Sequence, residues 1–295
     1  MLSFFANIFG YVLNWIYMVF QNYGIAIIIF SVLIKILMLP LSINQQKSLK
    51  KNEKLQKEIK ILQVKHNGNQ EKINQEMMEL YKREKINPLS GCFTVIIQLI
   101  LLLSMFSLVR MPLTYMKKID NQVIQDKIVE IKENYGEDKV SNVYPEISII
   151  KYLEQEDEKN EMYINMDFLG LDLSNIPQEN YKDVKVYIIP VLYVISSIIS
   201  IKITTKANNK NKEEKKDIEE NENSTELVKK EDTDQEQLMG QMNKNMSLMM
   251  PILSVSVSLV APLGLALYWL VNNIIMIIER LVLNRVFSKE EKEDV

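Results

Sequence analysis

Long runs without a charged side chain alternate with highly charged segments along this chain of 295 residues. Such uncharged runs cover residues 1–34, 91–109, 186–201 and 245–278. A helix that crosses a bilayer needs about 20 mostly apolar residues, so the pattern predicts membrane-spanning helices. The last run is too long for one helix, and the turn-forming segment 261–264, with a Pro and a Gly, divides it in two.

These runs predict an all-α polytopic membrane protein with a core of five transmembrane helices. The predicted spans are residues 23–42, 90–111, 184–203, 246–262 and 264–284. Because a soluble fold distributes charge along each amphipathic element, the segregation of charge argues against a single soluble globule.

The basic residues of the connecting segments predict the orientation. Residues 42–89 hold 11 Lys and Arg against 6 acidic residues, whereas residues 111–183 hold 8 Lys against 16 acidic residues. Cytoplasmic loops carry the excess of Lys and Arg, so the first segment is predicted inside and the second outside. Five spans then place the N-terminus outside and the tail, residues 285–295, in the cytoplasm.

The three long connections differ in character. Residues 43–89 are predicted as a basic cytoplasmic helical hairpin, divided at Asn67-Gly68-Asn69. Residues 112–183 form an extracellular loop with a helical insertion, whose predicted apolar stripe is Ile119, Val123, Ile131 and Tyr135. Residues 204–245 are rich in Asn, Lys and Glu, which predicts a largely disordered cytoplasmic loop.

Residues 1–22 are open to two interpretations. Polar positions recur on one helical face and aromatic positions on the other, which favours an amphipathic helix in the membrane interface. The alternative is a sixth span or a targeting segment, although a basic start and a small-residue cleavage site are not visible.

Lys35 is the most informative single residue, because it is the only charge inside its predicted span. A charge at such depth costs about 2.5–3.5 kcal/mol on insertion scales and usually faces a wet cavity or a partner. The alternative is snorkelling, in which the side chain extends to the inner headgroups. Glu279, in the last predicted span, is within possible reach of Lys35.

Catalytic and metal-binding patterns are missing from the sequence. A single Cys (Cys92) and a single His (His66) exclude a Cys-based zinc cluster and a multi-His metal site. Nucleotide-binding motifs do not occur either, and a net charge of −3 gives no global signature of nucleic-acid binding. We therefore expect a protein that is not an enzyme, has no cofactor or metal, and binds no specific nucleic-acid sequence.

Short strings in and around the predicted spans form a characteristic set. They are Asn22-Tyr23-Gly24, Met38-Leu39-Pro40-Leu41, Glu76-Met77-Met78-Glu79-Leu80-Tyr81, Ile86-Asn87-Pro88-Leu89-Ser90-Gly91-Cys92-Phe93 with Gln98, Phe168-Leu169-Gly170-Leu171-Asp172-Leu173, Met250-Pro251, and Pro262-Leu263-Gly264-Leu265-Ala266-Leu267-Tyr268-Trp269 with Asn273. Together they resemble the YidC/Oxa/Alb family of membrane-protein insertases, in its bacterial Gram-positive type. The resemblance covers residues 8–112 and 166–287, about three quarters of the chain.

The resemblance implies an insertase and chaperone that moves nascent membrane proteins from the cytoplasm into the plasma membrane, alone or with the Sec translocon. Its hydrophilic groove, open to the cytoplasm, is expected to be lined by Lys35, Gln98, Ser197, Ser200, Trp269 and Asn273. Contact with the ribosome or client is expected at four lysines of the basic hairpin, which are Lys50, Lys51, Lys54 and Lys57.

The chain departs from the family pattern in three places. Lys35 stands where members usually carry Arg, so the charge is kept and the planar guanidinium fork is lost. Most of 117–165 and most of 207–236 are insertions relative to short family loops.

The alternative function is a small-solute or ion transporter that uses Lys35 as a coupling charge, although such transporters often show inverted repeats that this sequence lacks.

Overall fold

The computed structural model describes residues 2–66, 70–83, 90–156, 160–219 and 256–293, and most of them are helical. The labelled helices are α1 Leu2–Phe20, α2 Tyr23–His66, α3 Gln70–Arg83, α4 Ser90–Arg110, α5 Asn121–Tyr135, α6 Pro145–Glu156, α7 Ile188–Glu219 and α8 Leu263–Glu293. Shorter helical turns are Leu113–Lys117, Glu137–Lys139, Val184–Tyr187 and residues 256–260.

A two-stranded antiparallel sheet interrupts the helices. Strands β1 (Asp167–Phe168) and β2 (Leu171–Asp172) pair Asp167 with Asp172 and Phe168 with Leu171. Leu169 and Gly170 connect them with φ of 54° and 76°. One of the favoured two-residue hairpin loops requires a positive φ at both of its residues. Apart from this pair, the regular secondary structure of the described residues is helical, and the predicted all-α class is confirmed.

Within the described residues, four helical stretches are long and apolar enough to cross a membrane, which confirms a polytopic membrane protein. They are Leu2–Phe20, Tyr23–Gln45, Val184–Ile203 and Leu263–Leu283, and Leu99–Arg110 is a shorter apolar stretch. The predicted span 246–262 lies outside the described residues except for its end from 256 onward. The five-helix core therefore stays a prediction.

Three helices continue beyond the predicted spans, and α8 does so as far as Glu293. α2 runs without a break through Pro40 into the first arm of the hairpin and has 44 residues. α7 continues to Glu219, so residues 204–219 are helical where the sequence predicted a largely disordered loop. Lys, Glu and Ala are good helix formers, and adding residues to an existing helix avoids the cost of nucleation. Residues 220–245 of that loop lie outside the described residues.

Residues 112–183, which the sequence predicts outside the cell and which we call the outer loop, contribute hydrogen-bond acceptors to the beginnings of two apolar helices. Tyr23 N donates to Asn165 O (3.0 Å), and Leu263 N and Gly264 N donate to Asn175 O and Leu173 O (both 2.9 Å). The first N–H groups of a helix have no acceptor within it, so these bonds stabilise both starts. They also place the beginnings of α2 and α8 at one end of the molecule.

The helical insertion packs with a different face from the predicted one. Ile124, Ile128 and Ile131 are the buried residues of α5, whereas Val123 and Tyr135 are about half exposed. Within α5 the predicted stripe is therefore correct only at Ile131, because the buried face is formed by Ile124, Ile128 and Ile131. Ile119, which precedes the helix, is partly buried against the core as predicted.

A buried carboxylate attaches the insertion to the end of α4. Glu146, at the start of α6, accepts hydrogen bonds from Leu113 N (2.7 Å), Thr114 N (3.1 Å) and Thr114 Oγ1 (2.6 Å). Burial raises the pKa of Glu146, and the bonds from Thr114 and Leu113 act against that rise. Glu146 thus occupies the acceptor position at the N-terminus of the Leu113–Lys117 turn.

The N-terminal helix α1 packs on α2, α4 and the Leu113–Lys117 turn. Its residues Asn7 and Tyr17 both contact groups beyond the ends of the spans: Lys118 Nζ donates to Asn7 Oδ1 (2.6 Å), and Asn165 N donates to Tyr17 OH (2.8 Å). If α1 crossed the membrane, only one of its ends would lie at the depth of Lys118 and Asn165. The arrangement supports the interfacial interpretation, which stays a prediction.

Candidate functional site: a polar column between three helices

Helix α8 packs against both α2 and α7, and polar side chains lie in two layers at its contact with α7 and in a third at its contact with α2. We call this set the polar column, and its members are Tyr193, Trp269, Ser196, Ser197, Asn273, Lys35 and Glu279. All three helices are apolar in composition within their membrane-length stretches, so the column is a polar strip inside an apolar bundle.

The first layer is aromatic. Tyr193 and Trp269 place their ring centroids 6.4 Å apart at an interplanar angle of 41°. Trp269 lies six residues into α8, about 9 Å from its start at 1.5 Å per residue. Tyr193 is buried and Trp269 is half-buried, so the pair closes the column on the side of the outer loop.

The second layer is a hydrogen-bonded amide. Asn273 Nδ2 donates to Ser196 Oγ (2.8 Å) and to Ser197 Oγ (3.2 Å), and Ser196 Oγ donates to Tyr193 O (2.8 Å). Asn273, Ser196 and Ser197 are all buried. Serines at adjacent positions of one helix present two acceptors to the single amide of the other helix, which fixes α7 against α8.

The third layer is an ion pair. Lys35 Nζ lies 2.6 Å from Glu279 Oε2, with 19% and 10% of the two side chains exposed. Lys35 lies twelve residues into α2, about 18 Å from its start, and Glu279 sixteen residues into α8, about 24 Å. Lys35 therefore has a partner inside the bundle. The second carboxylate oxygen of Glu279 is buried and has no hydrogen-bond partner within the described part of the chain.

The predicted groove residues are distributed unequally around this column. Trp269, Asn273 and Ser197 lie at the contact between α7 and α8, whereas Lys35 pairs with Glu279 at the contact between α2 and α8. Ser200, one turn beyond Ser196 on α7, is also buried and has an interaction of its own. Gln98 lies in α4, and its side chain is outside the described residues.

Three column residues were missing from the predicted groove: Tyr193, Ser196 and Glu279. Ser196 is adjacent to the predicted Ser197, and a polar pair in an otherwise apolar run is the signal that includes both. Glu279 is the only acidic residue between positions 246 and 289, and one acid opposite one lysine in two spans predicts a pair. The length of the Lys35 side chain alone did not show whether it binds Glu279 or extends to the inner headgroups.

Ion pairs connect the two arms of the hairpin, which are the C-terminal end of α2 and α3. Glu76 of α3 binds His66 Nε2 (2.7 Å) and Lys65 Nζ (3.3 Å), and Glu58 binds Arg83 (2.7 Å). Desolvation acts to raise the pKa of Glu76, but the bonds from His66 and Lys65 outweigh it and the pKa is lowered. Lys50, Lys51, Lys54 and Lys57 lie in α2, and their side chains are outside the described residues.

Comparison with known proteins gives one family. The model of the family described as 60Kd inner membrane protein matches residues 15–291. The membrane protein insertase YidC of Anaeromyxobacter sp. (strain Fw109-5) is 41% identical over 97 residues, 33% of this chain and 18% of the relative. That of Francisella tularensis subsp. novicida (strain U112) is 42% identical over 106 residues, 36% of this chain and 19% of the relative. The matched stretches thus cover less than a fifth of these relatives.

Membrane-length apolar helices around a buried polar column define a multi-pass membrane protein. The family match and the apolar helices together place it in the bacterial plasma membrane. The chain belongs to the family of the 60Kd inner membrane protein, the YidC/Oxa/Alb family that its sequence motifs predicted. Both relatives are named insertases, so the transporter alternative is not favoured.

Proposed function

We propose that the protein is a membrane insertase that moves nascent membrane proteins from the cytoplasm into the bilayer. The observation that carries the proposal is the polar column, because buried Asn273, Ser196 and Ser197 and the Lys35–Glu279 pair lie inside helices of membrane length. Helices held together by packing alone do not need an ionised pair at this depth. The insertase names of the relatives support the same conclusion.

The physical problem of insertion is the polar extracellular segment of the client. Each unpaired polar group costs several kcal/mol, on the order of 2–7, in an apolar medium. A groove that is wet from the cytoplasm shortens the dry path, and the polar column supplies hydrogen-bonding groups along it. The apolar part of the client then leaves along the apolar helix faces into lipid. This mechanism makes and breaks no covalent bond, so the protein acts as a chaperone and not as an enzyme.

The proposed orientation has the outer loop outside and the hairpin inside. It is supported by the loop contacts at the starts of α2 and α8 and by the excess of acidic residues in 111–183. We expect protease added to protoplasts to cleave within 112–183 only, as mapped by tags at each end. Cleavage within 204–245 from outside would contradict the five-span arrangement.

The basic hairpin is proposed to receive the client and the ribosome. Lys50, Lys51, Lys54 and Lys57 follow Lys35 on the same continuous helix, and residues 42–89 carry a net charge of +5, from 11 basic and 6 acidic residues. The positive charge of the hairpin attracts RNA phosphates and acidic client segments over about 10 Å at moderate salt. Docking beside the Sec translocon is compatible with the same surface.

Depletion followed by complementation tests the proposed function. In a bacterial strain whose own insertase is depleted, this chain is expected to restore growth and the protease-protected insertion of a small single-span client. A chain that reaches the membrane at normal levels but inserts no client would refute the proposal. Restored solute or ion uptake without insertion would favour the transporter.

A further inference from the structure

The ion pair makes the innermost layer of the polar column neutral. An attraction for acidic client residues needs Lys35 alone, yet Glu279 Oε2 lies 2.6 Å from its ammonium group. Both side chains are mostly buried, at 19% and 10% exposure. The acidic partner must therefore influence whatever binds at Lys35.

We propose that Glu279 determines client specificity: its carboxylate competes with acidic client residues for Lys35 and accepts hydrogen bonds from basic ones. The inference rests on the proposed function, since it concerns which clients the same groove accepts. It names the class of client that the groove favours, which is one whose extracellular segment is neutral or basic.

The competition follows from the geometry of the pair. An acidic client residue that binds Lys35 Nζ has to replace Glu279 Oε2 and then lies beside the displaced carboxylate, and two like charges at that separation repel. The cost of displacing Glu279 is therefore part of the cost of admitting an acidic segment.

The second carboxylate oxygen explains the preference for basic segments. Oε1 of Glu279 is buried and has no hydrogen-bond partner within the described residues. A buried acceptor without a donor is unfavourable, so a lysine or arginine of the client supplies a missing bond. It does so without breaking the bond between Oε2 and Lys35.

The test compares two clients that differ only in the extracellular tail, one with two Asp and one with two Lys. Full-length protein in membrane vesicles inserts each client, and protease protection gives the two rates. Glu279→Gln is expected to raise the ratio of acidic-tailed to basic-tailed insertion about fivefold, which corresponds to about 1 kcal/mol. Lys35→Gln is expected to lower the same ratio. All variants keep Arg280, the residue that follows Glu279 on α8, so the charge at position 280 is the same in each of them.

A matched control removes the same charge elsewhere. Glu137→Gln breaks the ion pair of the exposed Glu137 with Lys132 (2.9 Å) in the outer loop and is expected to leave the ratio unchanged. If Glu279→Gln does not accumulate, Glu279→Asp keeps the charge but withdraws it from Lys35, and a smaller shift in the same direction is expected.

The outcomes separate this inference from the proposed function. If the parent inserts neither client, the proposed function fails. If the parent inserts both and the ratio stays the same in Glu279→Gln and Glu279→Asp at equal protein levels, the specificity role of Glu279 is overturned and the function stands.

Discussion

Lys35→Leu is expected to lower the free energy of unfolding by about 3 kcal/mol, the lower end for breaking a buried ion pair. The change leaves the Glu279 carboxylate, 10% exposed, without the ammonium group that lies 2.6 Å away. Thermal unfolding in detergent and the amount of protein in the membrane measure the effect. The interpretation of Lys35 as a snorkelling residue makes the opposite prediction, a silent or stabilising change, because an insertion cost is removed.

The double variant Lys35→Leu/Glu279→Leu is the matched control. Replacing both members of a buried pair by apolar residues is often neutral or stabilising, so most of the lost stability is expected to return. Because its protein level is expected to match that of the parent, the double variant shows how the charges of Lys35 and Glu279 affect insertion. Lys35→Arg is expected to keep both stability and function, because it retains the charge. A Lys35→Leu variant as stable as the parent would show that the pair contributes nothing.

Gly10→Ala is expected to destabilise the contact between α1 and the Leu113–Lys117 turn by about 3 kcal/mol, at the upper end for overpacking. A Cβ atom at Gly10 would clash with the backbone O and C atoms of Tyr115. Both are backbone atoms, so a side-chain rotation cannot relieve the clash. The loss outweighs the gain of about 1 kcal/mol that Ala gives over Gly inside a helix.

Gly264→Ala provides the comparison for that variant. Gly264 is also in a helix, but the nearest atom to its Cβ would be Tyr23 Cε1 at 3.4 Å, an ordinary contact. The melting temperature of Gly264→Ala is expected to equal or exceed that of the parent. Gly10→Ala should melt at a lower temperature and expose α1 to protease. Equal melting of Gly10→Ala and the parent would show that α1 is not held against this turn.

The sequence was sufficient for the apolar helices and for the family. Uncharged runs and the break at 261–264 predicted where α2, α4, α7 and α8 lie, because a membrane requires helices of that length and composition. Such runs do not show where a helix ends in water. That is why the continuation of α7 to Glu219 was not predicted.

The site was predictable in residue type but not in pairing. Lys35 and Asn273 stand out because polar groups in apolar runs are few, and their positions alone indicate a site. Which groups meet depends on how α8 rotates against α2 and α7, and a sequence without tertiary contacts does not fix that rotation. The face of α5 was misassigned for the same reason, since Ile124 and Val123 are adjacent and only packing against α6 distinguishes them.

The neutrality of the Lys35–Glu279 pair has a consequence for the membrane potential. One elementary charge that crosses the bilayer gains or loses about 2.3 kcal/mol for every 100 mV, so a lone buried lysine would shift its position as the potential changed. A positive and a negative charge 2.6 Å apart experience almost no net force from that field. In the proposed orientation the inside-negative potential instead acts on the client, and it drives acidic segments outward while opposing basic ones. The potential therefore does electrical work in favour of acidic segments and against the basic ones that the pair favours, while the paired charges themselves contribute almost none.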